Sequence, residues 1–145
     1  MIAQTSNEFL TIRAWHRAVV GNRDMILRRT SALEHLQLFN GYMRGKRIDV
    51  YTKYRGDHEN INYHVVSSYD GIDYVAIGNV LCTSINQTIN DMLADHDSDE
   101  LALVEGLSGF YFSNNESFDG LYIKPENMDR FNTIKDWAVE YYDEV

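Results

Sequence analysis

The run Asp95-His96-Asp97-Ser98-Asp99-Glu100 gathers four carboxylates and an imidazole in six residues, and metal chemistry is the first use such a run suggests. Its D-x-D-x-D start is that of a calcium loop. Glu100 stands at the sixth position, where the turn needs glycine, and Gly106 at the twelfth, where the ion needs a bidentate glutamate. No calcium site is expected there. Asp97 or Ser98 is instead expected to cap the following helix, with Asp99 and Glu100 placed at its positive end. His96-Asp97 also resembles a phosphohydrolase metal pair, but that chemistry needs further His and Asp ligands at helical positions, and the sequence supplies no such set.

Other catalytic classes fail on spacing. His16, His35, His58, His64 and His96 are scattered, with no H-x-x-x-H or H-E-x-x-H among them, and each reads as a surface or boundary residue. No G-x-S-x-G and no glycine-rich loop ending in Lys-Ser or Lys-Thr is present. Two residues before Lys46, Lys53, Lys124 and Lys135 stand Arg44, Tyr51, Tyr122 and Thr133, so the acid-x-lysine pattern of metal-dependent nucleases is missing. Cys82 closes a short apolar run and reads as a buried, inert thiol. No metal and no cofactor is expected.

Two features suit binding. Arg28-Arg29 precedes a helix start, and Arg44, Lys46 and Arg47 cluster in a turn. Arginine forks bind phosphate and carboxylate bidentately, so these are candidates for a phosphate or an acidic partner surface. Internal pairing with the acidic later part of the chain is expected to use most of this charge. Ten tyrosines are present, and Tyr51, Tyr54, Tyr63 and Tyr74 fall on predicted strands; Tyr51 and Tyr54 join the candidate partner site. If the chain has a catalytic role, the alternative reading is a small enzyme acting on a phosphate-containing or nucleic-acid substrate through Asp91 or Asp95 and the N-terminal arginines.

The elements that must position these residues follow from composition and period. At 145 residues, 44% hydrophobic and 24% charged, the chain is expected to form one soluble domain over residues 1–145. One cysteine allows no internal disulfide, no apolar run approaches a membrane span, and the first residues lack a signal-peptide core, so a cytoplasmic protein is expected. The net charge of −9 divides unevenly, +6 over residues 1–55 and −15 over residues 56–145.

A helix is predicted from Asn7 to Val20, capped by Thr5 or Ser6, and a second over residues 30–41. In the second, Ser31 and Glu34 form an S-x-x-E capping box and Asn40-Gly41 the stop. Residues 48–54, 61–65 and 72–76 alternate with period two, and Val80-Leu81-Cys82 is a short apolar strand. Short turns between them predict an antiparallel meander. Helices capped by Thr83 or Ser84, following residues 95–98, and starting at Pro125 complete the chain, with a brief strand at Leu121-Tyr122-Ile123. The expected class is α+β: two N-terminal helices, a mainly antiparallel sheet of 4–5 strands, then three helices packed on it.

Two stretches carry a family resemblance. NVLCTSINQTINDML is similar to the segment of AbiEi-type antitoxins in which a short strand passes through a Thr-Ser cap into a helix. Thr83, Ser84, Thr88 and Asp91 match, and Gln87 stands where that pattern usually has arginine. RRTSALEHLQLF resembles the family's Ser-Ala-Leu helix through Ser31, Ala32 and Leu33. By order of elements the likeness covers residues 28–145.

It implies a type IV antitoxin from a bacterial abortive-infection system, in which a C-terminal α/β-type domain counters a nucleotidyltransferase-like toxin. Family members typically add an N-terminal winged helix-turn-helix that represses the operon. The residues ahead of Ser31 are too few for that module, so DNA binding is not expected. The implied function is a non-catalytic regulatory domain, its partner a cognate toxin or that toxin's pathway.

Overall fold

The computed structural model describes residues 11–40 and 47–141. Helix α1 spans Ile12–Val20, where Thr11 caps the first turn by accepting from the Ala14 amide at 3.1 Å. The capping positions proposed from sequence, Thr5 and Ser6, lie outside the described residues. The helix ends at Gly21, where an added Cβ would meet the Arg17 carbonyl oxygen at 2.4 Å. Strand β1, Met25–Leu27, follows at once. The sequence reading places no strand here, because three residues are too few to display a period.

The chain then passes straight into α2, Arg29–His35. The capping box is not formed. The cap position is Arg28, whose side chain makes no capping bond, and Ser31 lies within the first turn, where its Oγ accepts from the Asp49 amide at 2.9 Å. Glu34 is fully buried. Entry directly from a central strand starts the helix three residues early and turns Ser31 toward the sheet. The helix stops at Leu36, ahead of the predicted Asn40-Gly41, and Gln37 takes φ +64°.

Strands β2 (Ile48–Thr52), β3 (Ile61–Val65), β4 (Tyr74–Ile77) and β5 (Val80–Thr83) complete a five-stranded sheet of order β3-β2-β1-β5-β4. β1 pairs antiparallel with β2, as β4 does with β5, but β1/β5 and β2/β3 are parallel. The sheet is thus mixed and not a meander. Residues 53–60 are long enough to retrace a five-residue strand at roughly 3.3–3.6 Å per residue, which permits the parallel β2/β3 pair. β1 separates β2 from β5. A hairpin through Gly78, at φ +63°, joins β4 to β5, and Gly71 at φ +82° turns the connection before β4.

Helix α3 (Ile85–Ala94) is capped by Ser84, whose side chain accepts from the Gln87 amide. Helix α4 (Glu100–Ser113) is capped by Asp99, one residue past the predicted Ser98. Leu121–Ile123 forms no strand. Asn86 and Asn90 of α3 take the role of a strand partner instead. Asn86 Oδ1 accepts from the Tyr122 amide, the Asn90 amide group donates to the Tyr122 carbonyl, and Asn90 Oδ1 accepts from the Lys124 amide. A 3-10 turn at Pro125–Asn127 leads into α5 (Met128–Glu140). Phe131, Ile134 and Ala138 of α5 are buried, while Met128 and Trp137 are exposed.

The molecule is an α+β fold with two cores. One lies between the sheet and the first two helices, around Val20, Leu27, Ala32, Val50 and Cys82. The other is helical, around Leu33, Ile89, Leu103, Leu107 and Ile134. Helix α2 belongs to both, through neighbouring Ala32 and Leu33. Among the described residues no helix is long and apolar enough to cross a membrane.

Candidate functional site

Parallel β1 and β5 each run into a helix, α2 and α3, so their C-terminal ends lie side by side. Such strand ends are where sheets of this kind gather polar side chains. Alternation along β1 sends Leu27 into the sheet core and Ile26 to the opposite face, level with Tyr51 and Leu81. Arg28 continues the pattern. Its amide donates to the Asp49 carbonyl at 3.0 Å, extending the ladder, and its guanidinium packs over the Tyr51 ring with Cζ 4.7 Å from the centroid.

A connected network follows. Arg28 Nη1 donates to both Asp49 oxygens at 3.2 and 3.3 Å. Arg29 Nε donates to Asp49 Oδ2 at 3.0 Å, and Arg29 Nη1 pairs with Asp95 and reaches Ser98 Oγ at 3.4 Å. The Tyr51 hydroxyl donates to Asp91 Oδ2 at 2.6 Å, while Gln87 Nε2 donates to Asp91 Oδ1 at 2.9 Å. His64 meets the Tyr51 ring edge-on, with centroids 5.3 Å apart. Elements α2, β2, β3 and α3 are joined by these contacts.

Burial and neighbouring charges shift three members of the network, Arg28, Tyr51 and His64. Burial opposes the Arg28 charge most strongly, but Asp49 and Tyr51 together outweigh it, and the guanidinium is held above its ordinary pKa. Burial, then the Asp91 acceptor, push the Tyr51 phenol up to about 12, so the phenol keeps its proton and donates it. Burial and the charge of Arg28 pull His64 below the usual histidine value. Arg29 sits at φ +47°, a left-handed conformation that costs a non-glycine residue roughly 1–3 kcal/mol and persists here because two carboxylates hold the side chain.

The proposed binding residues divide four ways. Arg28, Arg29 and Tyr51 meet in the network, together with Asp91 and Asp95. Arg47 donates to Asn62 at 2.8 Å and borders an open cleft of about 220 Å³, also lined by Arg29, Thr30, Ser31, Asp49 and Ser98. Tyr54 is 73% exposed, outside the network. Arg44 and Lys46 lie outside the described residues. Charge pairing is more local than the sequence suggests: Asp49 serves both arginines and Asp24 pairs with Lys53 at 3.2 Å, while Arg29–Asp95 spans the basic and acidic parts. Among the described residues Asp49 is the shared partner because β1 and β2 are neighbours and place it first.

The residues of the two resembling stretches form the joint itself. Ser31 holds β2, the Ala32 carbonyl faces Cys82 Sγ at 3.7 Å, and Leu33 enters the helical core. Thr83 and Thr88 share a buried hydroxyl contact at 2.7 Å, Thr88 also donates to the Ser84 carbonyl, and Gln87 and Asp91 face Tyr51.

Two histidines depart from the sequence reading. His16 and His35 are both 0% exposed, and their Nδ1 atoms lie 3.0 Å apart. His16 follows Ile12 by four residues and precedes Val19 by three, so its place on the apolar stripe was the available signal. Asp49, the hub of the network, alternates with core residues of β2 and carried no motif. Cys82 is buried and its thiol is pushed up to about 12 by burial, as an inert thiol should be. No protein-family model and no curated protein matches this chain.

Proposed function

We propose that this chain is a non-catalytic, AbiEi-like antitoxin domain that acts in the bacterial cytoplasm against a nucleotidyltransferase-like toxin or its pathway. The observation that carries the reading is spatial. The two stretches that resemble the family, about fifty residues apart, pack together as α2 against β5 and α3, with the Ala32 carbonyl facing Cys82 Sγ, while Ser31 and Asp91 both reach β2. A likeness confined to isolated helix starts would not require these residues to meet.

The state of the carboxylates supports a binding role. Asp49 is held by Arg28 and Arg29, Asp91 by Tyr51 and Gln87, and Asp95 by Arg29. Co-expression with the product of the neighbouring gene tests the reading. Relief of growth arrest is expected, and an arrest that persists beside a soluble chain overturns it.

The convergence of Asp91 and Asp95 with Arg28 and Arg29 favours a second reading, a small enzyme for a phosphate-containing or nucleic-acid substrate. For Asp91 to act, Tyr51 and Gln87 would first have to release it. Turnover of a nucleotide panel that disappears in Asp91→Asn would support this reading over the first.

A further inference from the structure

The fold contains a second polar cluster, on the opposite side of the sheet from the arginine network. His16 on α1 and His35 at the end of α2 are fully buried, their ring centroids 5.1 Å apart and their Nδ1 atoms 3.0 Å apart. A contact through like nitrogens requires one to donate and the other to accept. One turn before His16, Arg13 Nε donates to the His35 carbonyl at 2.7 Å, so α1 grips the last residue of α2 by backbone and by side chain. We propose that the His16–His35 contact is an acid-sensitive latch, which holds α1 against α2 while one Nδ1 accepts and releases it when both Nδ1 atoms carry protons.

The surroundings favour the latched state at neutral pH. Facing His35 are the cations Arg13 and Arg17 from α1 and the Ile77 carbonyl from β4, and the buried Glu34 precedes it on α2. Burial first, then Arg13, hold His35 below its ordinary value of 6.5, and only the Ile77 carbonyl is set against them ahead of Arg17. A base with a lowered pKa in the closed state favours closure above that value and loses the advantage as pH falls below it. Release of α1 would lift Val19 and Val20 from the core they share with Cys82 and Leu27.

Amide hydrogen exchange of residues 12–20 in the full chain, at about pH 7.5 and about pH 5.5 and corrected for intrinsic rates, reads the latch directly. The expected result is an opening constant that rises roughly tenfold per pH unit below about 6.5, while Leu103 and Leu107 of α4 stay protected. His35→Asn keeps a neutral partner for His16 but takes up no proton, and should flatten the dependence. The same acceleration in His35→Asn overturns the proposal. Imidazole ¹⁵N shifts in the unaltered chain give a test that does not depend on that variant folding. A second proton is expected to enter the pair together with loss of α1 protection, and α1 protection unchanged at about pH 5.5 overturns the latch.

Discussion

The Tyr51 hydroxyl reaches from the second strand of the sheet to Asp91 on α3 at 2.6 Å, while a face of its ring carries Arg28. A phenol, a guanidinium and a carboxylate are thereby fixed by one side chain, and this contact ties the sheet to a helix of the second core. The Tyr51–Asp91 bond is a charge-assisted one, stronger than a neutral pair because the acceptor is ionised.

Tyr51→Phe keeps the stacked ring and removes only the donor. Bonds to charged groups are worth about 1.5–3 kcal/mol, so urea unfolding is expected to show a loss in that range. No change in the midpoint would mean that water replaces the phenol without cost.

The same residue sets an alkaline limit. Its folded pKa of about 12 lies above the ordinary 10.0, so the folded state holds the proton more tightly. The stability this contributes is complete below about pH 10 and is lost as pH rises from there towards 12. Unfolding curves of the parent and of Tyr51→Phe should therefore converge over that interval.

Arg29 offers a test of backbone strain against side-chain pairing. Alanine and glycine both remove the bonds to Asp49 and Asp95, but only glycine adopts φ +47° freely. Arg29→Ala should be less stable than Arg29→Gly by about 1 kcal/mol, despite alanine's better helix propensity. The reverse order in urea would show that the turn relaxes.

Asn90 serves two backbone groups of the 122–124 segment and also accepts from Asn127 Nδ2 at 3.0 Å. Asn90→Ala leaves these polar groups unpaired at a buried position. A loss of about 2–4 kcal/mol is expected in calorimetry or urea, because desolvated groups are left without partners. Asn86→Ala, on the exposed side of the same clamp, should cost less.

Cys82 should react with thiol reagents only on unfolding. A thiol moved from 9.0 to about 12 has its thiolate fraction cut roughly a thousandfold at mild alkaline pH. Labelling near pH 8 with and without urea measures this, and rapid reaction of the folded chain would contradict the burial.

Local chemistry made much of the fold legible. The period-two runs around Val50, Tyr63 and Ala76, the Ser84 cap, the Gly78 turn and the proline opening the last helical segment each depend on residues close in sequence. β1 escaped because Met25–Leu27 is too short to repeat a two-residue period. The Leu121–Ile123 segment misled for a different reason: its backbone partners are side chains of Asn86 and Asn90, which no strand pattern announces. For the candidate site, the arginines, Tyr51 and Asp91 were visible as residue types of interest. Their common partner Asp49 was not, since a lone acid alternating with apolar residues looks like any solvent-facing strand position.

The sequence by itself determined the class of the protein, an α+β arrangement with its Ser84 cap, its Gly78 turn and its single buried thiol. Those features come from period and backbone preference, which act over a few residues. The tertiary structure alone decided the strand order, the parallel pairing of β1 with β5, and which charges meet. Arg29 lies twenty residues from Asp49 and sixty-six from Asp95. Only the insertion of β1 at the centre of the sheet brings both carboxylates within reach of one guanidinium.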